Sequence, residues 1–467
     1  MAKLTDRSPE MTRKLVLWTK FAVLIYAMLI SVPYLHNVLY VGKKLSCAWM
    51  ALLILYLFCT NLRQFRLPEY GAMLLCCVFY GVTILLNGRA HFSNEVMVLL
   101  YMGCTYFLLT FCCPGLDPEQ ARKELYLLGY TMVVLSFVFA LLNLGWYFLS
   151  YLNPMVLPKS DYFYGVGNHQ LGGIYNPNTG GVNNYTSILV SLMLLRRTGK
   201  SGKVFLIVNM LLQFACFSLV QSRGAWIAFL AFLILYFLFV WEKKGLSMPK
   251  TWLYRVVLLA LCTLVLTNGS RLTRQALSET AVYLAQEEVH FEIHHTIDSP
   301  YEMVILEPDP DPLTSDRDYT RGGHTDVTTG RSGLWKIGLK VWKDHPVFGI
   351  GYRSIDDALK VGLSEYDYHN SGAGGLHNVY ITVLVSGGIL GFVSFAALIV
   401  FLLLRVLKLY LDPKASQTAK LVATLIPTWL VGELVESRIA LSFTNMSVFF
   451  WITAGYVIYY TRKDQRV

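Results

Sequence analysis

Long apolar segments recur along nearly the whole chain, and most are about 17–25 residues long, the length of α-helix that crosses a bilayer. Short polar links separate most of them. This pattern predicts an all-α polytopic membrane protein, with a single membrane domain over residues 1–467 and about twelve transmembrane helices. The predicted spans are 15–35, 45–62, 70–87, 95–113, 124–150, 181–195, 203–220, 224–241, 253–268, 376–404, 418–437 and 443–460.

The composition supports a membrane protein. Of 467 residues, 55% are hydrophobic and only 15% are charged, whereas soluble domains carry about 25% charged residues. The first apolar run, from Leu15 to Leu35, has no small-residue cleavage site after it. We therefore interpret this run as a membrane anchor and not as a signal peptide.

The distribution of Lys and Arg predicts the orientation. With the N-terminus in the cytoplasm, the predicted inner segments hold about 22 of these residues and the short outer segments about 6, as the positive-inside rule requires. Both termini are then cytoplasmic. The net charge of +10 is explained by topology and by contact with anionic membrane lipids, and it does not imply nucleic acid.

Two predicted outer segments are longer than the other links. The first, 152–181, is rich in Gly, Pro and Asn, which favour turns. Its aromatic side chains suit either stacking on sugars or an aromatic belt at the membrane interface. The second, 269–376, is a large extracytoplasmic loop. Because it holds most of the histidines of the chain, we expect chemistry at this face of the membrane.

The large loop is predicted to be partly helical. Residues 271–292 have helical spacing and predict a surface helix. The alternating prolines of 307–312 exclude regular structure. From Arg331 an amphipathic helix is predicted, with apolar residues on one face and Lys336, Lys340 and Lys343 on another. Asp344, His345 and Pro346 are predicted to end it.

A metal site or disulfide is not expected. All nine cysteines lie in or beside apolar spans, none lies in the large loop, and no pair has metal-ligand spacing. His290 and His294 would share a helix face, but the sequence has no HExxH motif. We therefore interpret this region as a solvated polar face.

Two arginines are candidate anion ligands. Arg223 lies in a tight hairpin between two apolar spans, where it either snorkels to the surface or binds an anion. Arg331 opens the amphipathic helix of the loop, and a guanidinium beside the free N–H groups of a helix N-terminus suits a diphosphate. The alternative for Arg331 is an ordinary solvated charge.

His377 is the candidate general base. It precedes Asn378 at the start of the tenth predicted span, and histidine accepts a proton near neutral pH. The alternative is an interfacial histidine that only caps or packs. Near the outer end of the eleventh span, Glu433, Glu436 and Arg438 form a secondary site candidate, because acids beside apolar segments need a partner.

Several short motifs together resemble the O-antigen ligase and polymerase family of bacterial membrane glycosyltransferases. They occur in the family's order over about Gly173 to Gly391. The segment from His290 to His324 is longer and more acidic than expected of the family. The motifs are Asn176-Pro177-Asn178, Ser222-Arg223-Gly224, Gly330-Arg331 with Trp335, Pro346-Val-Phe-Gly349-Ile-Gly351, and His377-Asn378-Val-Tyr380.

The resemblance implies a GT-C-like, metal-independent and cofactor-free glycosyltransferase of the bacterial inner membrane. Its donor would be a glycan on a polyprenyl diphosphate, and its acceptor a glycan, lipid or protein hydroxyl. Carried over residue by residue, Arg223 and Arg331 hold the diphosphate and His377 is the general base. The supporting residues that it suggests are Asn378, Tyr380, Asn176, Asn178, Glu433 and Glu436.

Alternatives remain open at this point. Within the family, a ligase transfers the glycan to an envelope acceptor, whereas a polymerase transfers it to another repeat unit. About twelve spans also suit a transporter or lipid-linked-glycan flippase, although the predicted spans are nearly free of central charge, with Lys20 as the main exception. A third alternative is a non-catalytic scaffold, which would tolerate loss of His377.

Overall fold

Over the residues that it describes, the computed structural model is a bundle of α-helices with one pair of short antiparallel strands. The structure describes residues 7–462 except for 63, 64, 66, 88, 114, 153–163, 168, 169, 175, 242–247, 287–330 and 364–374.

The first half of the bundle contains α1 to α7. A π-helical turn, Cys104–Leu109, continues α4, and the strands β1 and β2 pair antiparallel between α5 and α6. The bounds are α1 Arg7–Ile30, α2 Pro33–Asn61, α3 Leu67–Asn87, α4 Phe92–Gly103, α5 Pro118–Leu152, β1 Tyr164–Gly167, β2 Gln170–Gly173, α6 Pro177–Leu195 and α7 Lys200–Val220.

The second half contains α8 to α14. A π-helical turn, Tyr236–Val240, continues α8, and two short helices, α10 and α11, precede the long helix α12. The bounds are α8 Arg223–Leu235, α9 Met248–Gln286, α10 Arg331–Asp344, α11 Ser354–Gly362, α12 Val379–Leu411, α13 Gln417–Gly432 and α14 Asn445–Tyr460.

Every predicted span overlaps a helix, although several bounds differ. Within the described residues, eight helices are long and apolar enough to cross a membrane, namely α2 to α5, α7 to α9 and α12, where α4 and α8 include their π-helical turns. The helices α13 and α14 have only 16 residues each, and α1 and α6 also fall outside that group. The all-helical membrane architecture is therefore confirmed, while the number twelve and the orientation stay predictions.

The helices share one apolar core. Buried side chains of α1 to α8 and α12 to α14 form a continuous cluster, and the exposed face of α9 carries leucines and valines, as expected where lipid is the solvent. Lys20, the charge predicted inside the first span, is 2% exposed and donates a hydrogen bond of 2.6 Å to the backbone oxygen of Phe111.

Several boundaries differ from the predictions. The ninth span and the predicted surface helix are one continuous helix, α9, of 39 residues, because helical spacing persists through the polar residues that suggested a break. Part of the first outer segment forms β1 and β2, and α6 begins at Pro177, four residues before the predicted span. The helix α13 ends at Gly432, before Glu433 and Glu436.

The helix α10 begins and ends as predicted, at Arg331 and Asp344. Its partner α11 was not predicted. Both pack on the start of α12 through a small apolar cluster that includes Leu334, Leu359 and Leu376. The predicted irregular run at 307–312 and the pair His290 and His294 lie outside the described residues.

The link after α10 passes very close to the point at which the helical conformation of α12 is interrupted. Gly388 interrupts α12 with φ of +63°, and Gly349 has φ of +64°. A Cβ on Gly349 would lie 2.4 Å from the backbone oxygen of Val385, and one on Gly388 would lie 2.2 Å from that of Val347. Only glycine permits this approach, so the crossing explains why glycine stands at position 349 of the motif Pro346-Val-Phe-Gly349-Ile-Gly351.

Candidate functional site

At the predicted outer end of the bundle, one carboxylate lies close to three basic side chains. Glu436, in the link between α13 and α14, pairs through Oε1 with Nη2 of Arg331 at 3.0 Å. Its Oε2 lies 3.0 Å from Nη2 of Arg438 and 3.6 Å from Nδ1 of His377. The structure thus brings Arg331 and His377, which are predicted as an anion ligand and a general base, onto one acidic side chain.

The backbone around His377 is held on both sides. Asn378 is the N-cap of α12, and its side-chain oxygen accepts from the N–H groups of Tyr380 and Ile381 at 3.0 Å. On the other side, Trp335 of α10 donates its indole N–H to the backbone oxygen of Leu376 at 2.8 Å. His377 lies between them with φ of +46°, a region that non-glycine residues seldom adopt.

The segment that carries Glu436 is tied to the same place. The side-chain amide of Asn378 donates to the backbone oxygen of Leu434 at 2.8 Å, and the N–H of Val379 donates to that of Glu433 at 3.0 Å. These two bonds connect the start of α12 to the link after α13. The spacing between His377 and Glu436 is therefore set by backbone contacts and not only by their own attraction.

The two acids of the link have opposite electrostatic environments. Burial alone would raise the pKa of Glu436, but the charge of Arg438, together with His377 and Arg331, outweighs it and lowers that pKa to about 2. Burial raises the pKa of Glu433 to about 7, although the N–H groups of Arg438 and Ile439 and the Arg438 charge oppose the rise. Glu436 is therefore the ionised partner of the cations.

Arg438 connects this cluster to the start of α6. Its Nη1 donates to the backbone oxygen of Asn178 at 3.1 Å, and the side-chain oxygen of Asn178 accepts from the Ser222 hydroxyl at 3.1 Å. Ser222 in turn caps α8, which begins at Arg223. The Ser222–Asn178 bond thus joins the Asn-Pro-Asn turn to the Ser-Arg-Gly hairpin of the sequence, and Arg438 joins that turn to Glu436.

The helix start that carries Arg223 contacts the segment that carries Glu436, and Gly224 makes this contact. A Cβ on Gly224 would be only 2.3 Å from Cγ2 of Val435. The first turn of α8 therefore packs directly against the residue that precedes Glu436. In this way the structure places the helix start that carries Arg223 next to the cluster of Arg331, Arg438 and His377.

The other predicted supporting residues hold backbone structure. Asn176 caps α6 by accepting from the N–H of Asn178 at 3.0 Å. The hydroxyl of Tyr380 donates to the backbone oxygen of Leu430 at 2.9 Å and so ties α12 to α13. These contacts fix the start of α6 and the packing of α12 on α13.

Arg438 has a larger part in this cluster than the sequence indicates. Its pairing with Glu436 agrees with the expectation that acids beside apolar segments need a partner, but its bond to Asn178 was not predicted. The available signal was a third charged residue following Glu433 and Glu436 beside an apolar span. Within the described residues, no group of three His, Cys, Asp or Glu side chains could hold a metal ion.

Residues 208–396 match the family model described as O-Antigen ligase. The matched region contains Arg223, Arg331 and His377, whereas Glu436 and Arg438 follow it. None of the curated proteins compared with the chain matches it. Over these residues, 189 of the 467, the chain is similar to the O-antigen ligase family.

Proposed function

We propose that the protein is a membrane glycosyltransferase that moves a glycan from a polyprenyl diphosphate donor to an acceptor hydroxyl in cell-envelope polysaccharide assembly. One observation carries this proposal: Arg331, Arg438 and His377 converge on the Glu436 carboxylate. Fixed cations beside a base are what transfer from a diphosphate leaving group needs. The site would face the extracytoplasmic side of the bacterial inner membrane, with both termini in the cytoplasm.

In this proposal, Arg223 and Arg331 bind the diphosphate of the donor. As the bond between the anomeric carbon and the diphosphate oxygen breaks, negative charge grows on the leaving group. Arginine forks bind phosphate oxygens through paired N–H groups and keep their charge at any physiological pH. The Arg438 side chain, 7% exposed, adds a third positive charge behind them.

His377 takes the proton of the acceptor hydroxyl. The hydroxyl oxygen attacks the anomeric carbon, its proton passes to the imidazole, and the electron pair of the broken bond leaves with the diphosphate. The configuration at the anomeric carbon inverts in this single step. Because Nδ1 of His377 faces Glu436 at 3.6 Å, the proton is assigned to Nε2, and the carboxylate stabilises the resulting imidazolium.

Glu436 prepares the site before the donor arrives. Ionised and buried, it holds Arg331 and Arg438 in place, because an unpaired buried arginine would be costly. Each guanidinium has five N–H donors, and a single carboxylate occupies only part of them. A diphosphate can therefore bind these arginines while Glu436 keeps them oriented.

The proposal is tested by glycan transfer in reconstituted membranes with a polyprenyl-diphosphate-linked oligosaccharide. His377→Ala is expected to lose transfer while donor binding is retained, and Arg331→Ala is expected to lose donor binding. Lys336→Ala, an exposed change on the same helix α10, is the matched control and keeps both. Unchanged transfer by His377→Ala would remove that residue from the chemistry.

The acceptor decides between a ligase and a polymerase. Products of the same reaction are separated by length: a ladder of repeat units indicates a polymerase, and a single addition to a lipid or protein acceptor indicates a ligase. If wild-type protein transfers no glycan to any acceptor but moves the lipid-linked donor between leaflets, the flippase alternative is supported instead. If the protein is inactive in both assays, the non-catalytic scaffold is the alternative that is supported.

A further inference from the structure

Two basic side chains come together at the predicted outer surface, outside the cluster around Glu436. Lys43 lies in α2, and its ammonium is 4.7 Å from the centre of the Tyr101 ring, which follows the start of α4. Arg353, the N-cap residue of α11, lies close enough for its charge to act on both Lys43 and Tyr101. Three segments that are distant in sequence therefore bring two cations and one aromatic ring to the same place.

Neither cation forms an ion pair with a carboxylate among the residues that the structure describes. Glu95 contacts Arg353, but it does so through the backbone. Its Oε1 accepts from the Arg353 N–H at 2.7 Å, and its Oε2 accepts from the Tyr80 hydroxyl. Glu95 is fully buried, whereas Arg353 is exposed. The carboxylate therefore anchors the chain at this point and leaves the guanidinium to another ligand.

The two acids of α11 have partners of their own. Asp356 pairs with Lys360 at 2.7 Å, and Asp357 pairs with Nε2 of His91 at 2.6 Å. The first of these pairs lies along α11, and the second ties α11 to the residue before α4. Both carboxylates are thus engaged away from the guanidinium of Arg353.

This arrangement favours an anion. Like charges held close together repel, most strongly where little water screens them, and Lys43 is half-buried. The face of the Tyr101 ring attracts the ammonium, but the ring has no net charge and neutralises neither cation. An anion bound by both Lys43 and Arg353 would remove the repulsion.

Arg353 lies near the predicted outer edge of the hydrocarbon. After the interruption at Gly388, residues 389–411 of α12 span roughly 35 Å at about 1.5 Å per residue, enough to cross a hydrocarbon core of about 30 Å. The link that leads to Arg353 contacts α12 just before this part, where the N–H of Gly351 donates to the backbone oxygen of Ser386 at 2.9 Å. The phosphates of membrane lipids lie at this edge.

Lys43 lies at a similar level in its own helix. The part of α2 that is apolar enough to cross a membrane begins at Val38, so Lys43 falls within its first two turns. On the same face of α2, the Lys44 ammonium is 5.7 Å from the centre of the Tyr40 ring. Tyrosine is enriched at the membrane interface, and the lysines beside it are therefore placed among lipid headgroups.

We propose that Lys43 and Arg353 form a second anion site, which binds the phosphate of a lipid headgroup at the outer surface of the membrane. Two lipids supply this chemistry. One is a phospholipid of the bilayer, and its binding goes beyond the proposed function. The other is an acceptor glycan that is itself linked to a polyprenyl diphosphate, and its binding rests on the proposed function.

One segment of α12, residues 379–387, connects the two sites. At its start the N–H of Val379 donates to the backbone oxygen of Glu433, and near its end Ser386 accepts from Gly351. Nine residues of helix span about 13 Å. A lipid bound at Arg353 is therefore held apart from the arginines of the Glu436 cluster, at a distance that a glycan of a few sugar units bridges.

The test counts lipids bound to the purified protein by native mass spectrometry. Each phosphate lipid is compared with its phosphate-free counterpart, phosphatidylglycerol with diacylglycerol and polyprenyl diphosphate with polyprenol. The double variant Lys43→Gln/Arg353→Gln removes both charges, whereas Lys43→Arg/Arg353→Lys keeps them. Lys360→Gln is the matched control, because it removes from α11 a charge that already pairs with Asp356.

The double glutamine variant is expected to raise the Kd of a phosphate lipid about tenfold or more, since contacts of an anion with two cations are lost. Binding of the phosphate-free lipids should not change, and the other two variants should bind as wild type does. An effect on phosphatidylglycerol alone identifies a bilayer phospholipid as the ligand. An effect on polyprenyl diphosphate, seen as the loss of one bound copy, identifies a lipid-linked substrate.

Unchanged Kd values for both phosphate lipids, or an equal loss of the phosphate-free lipids, would overturn the proposal. The unfolding temperature in detergent shows whether the double variant is folded. If it is not, the single variant Arg353→Gln, at an exposed position, is measured in its place. Arg331→Ala should weaken only the copy of polyprenyl diphosphate at the Glu436 cluster, so failure of that site is distinguished from failure of this one.

Discussion

Arg438 donates to the backbone oxygen of Asn178 at 3.1 Å, although the two residues are 260 positions apart in the chain. The bond joins the link after α13 to the first turn of α6. Because the same guanidinium also pairs with Glu436, one side chain connects the Asn-Pro-Asn turn to the cluster around His377. A segment from the first half of the chain and one near its C-terminus therefore meet at the site.

Removing Arg438 should affect both stability and activity. Its loss leaves Glu436 buried with fewer cations, and breaking a buried ion pair by deleting one partner costs about 3–5 kcal/mol. We expect Arg438→Gln to lower the unfolding temperature in detergent and to reduce transfer about a hundredfold or more. Lys340→Gln, an exposed change on α10, is the control and should match wild type in both measurements.

Glu436 should make stability depend on acid pH. Its folded pKa of about 2 lies below the value of about 4.3 for an unfolded glutamate. The contribution is therefore fully present above the unfolded pKa and is lost as the pH falls through the folded pKa. The shift corresponds to about 3 kcal/mol, of which about 2 kcal/mol should be lost by pH 3.

The measurement is the unfolding temperature of wild type and Glu436→Gln between pH 7 and pH 3. Wild type should be the more stable protein at pH 7, and the difference should shrink toward pH 3. A constant difference across this range would contradict the assigned ionisation of Glu436.

The pH dependence of stability that Glu433 contributes should have the opposite sign. Its folded pKa of about 7 is raised above the unfolded value, so its contribution is present below the unfolded pKa and is lost as the pH rises through about 7. Glu433→Gln stays neutral and can still accept from the N–H of Arg438. We expect wild type to lose up to about 3 kcal/mol between pH 5 and pH 8 relative to this variant.

This prediction is checked by chemical denaturation of both proteins at pH 5, 6.5 and 8. If the stability of Glu433→Gln follows wild type at all three values, the carboxyl does not titrate in this range and the prediction is wrong.

The glycine crossing after α10 should not tolerate a side chain. An alanine at position 349 would place its Cβ 2.4 Å from the backbone oxygen of Val385, and φ is +64°. The left-handed conformation alone costs about 1–2 kcal/mol, and the contact requires the backbones to separate. We expect Gly349→Ala to destabilise the protein by more than about 2 kcal/mol and to reduce transfer by displacing α10.

The control for this change is Gly333→Ala. Gly333 lies in α10, and a Cβ at this position would meet no atom of a neighbouring element within 4 Å. Alanine also favours helix over glycine by about 1 kcal/mol. This variant should be as stable as wild type or slightly more so. Equal thermal unfolding of the two variants would show that the crossing is not tightly packed.

Local pattern accounts for much of the fold. Hydrophobic length places every span on a helix, and the apolar spacing with the Asp344-His345-Pro346 ending predicts α10 correctly. The sequence predicts the ninth span and the surface helix as two elements, whereas the structure has one helix, α9. Polar residues can change the environment of a helix from lipid to water without ending the helix. The interruption at Gly388 depends on the backbone of Val347, which no local pattern reveals.

The candidate site, too, could be predicted from the sequence only in part. The resemblance of short motifs suggests Arg223, Arg331 and His377 as site residues, and in the structure Arg331 and His377 lie against one carboxylate. The contact between Arg438 and Asn178 depends on how α6 meets the link after α13, so it could not be predicted from either segment alone. The spacing of motifs along the sequence does not reveal residues whose contacts form only in the tertiary structure.

The link that crosses α12 is also held from the other end of the chain. In α3, Thr83 donates its hydroxyl to the backbone oxygen of Phe348, and Asn87 donates its amide to that of Gly349, each at 2.6 Å. The ion-pair partners of Glu436 in the described part of the chain all lie beyond α9. Even so, α3 in the N-terminal half holds the link that follows α10, the helix that carries Arg331. A chimera with a relative's N-terminal half would therefore work only if that half presents the same two donors.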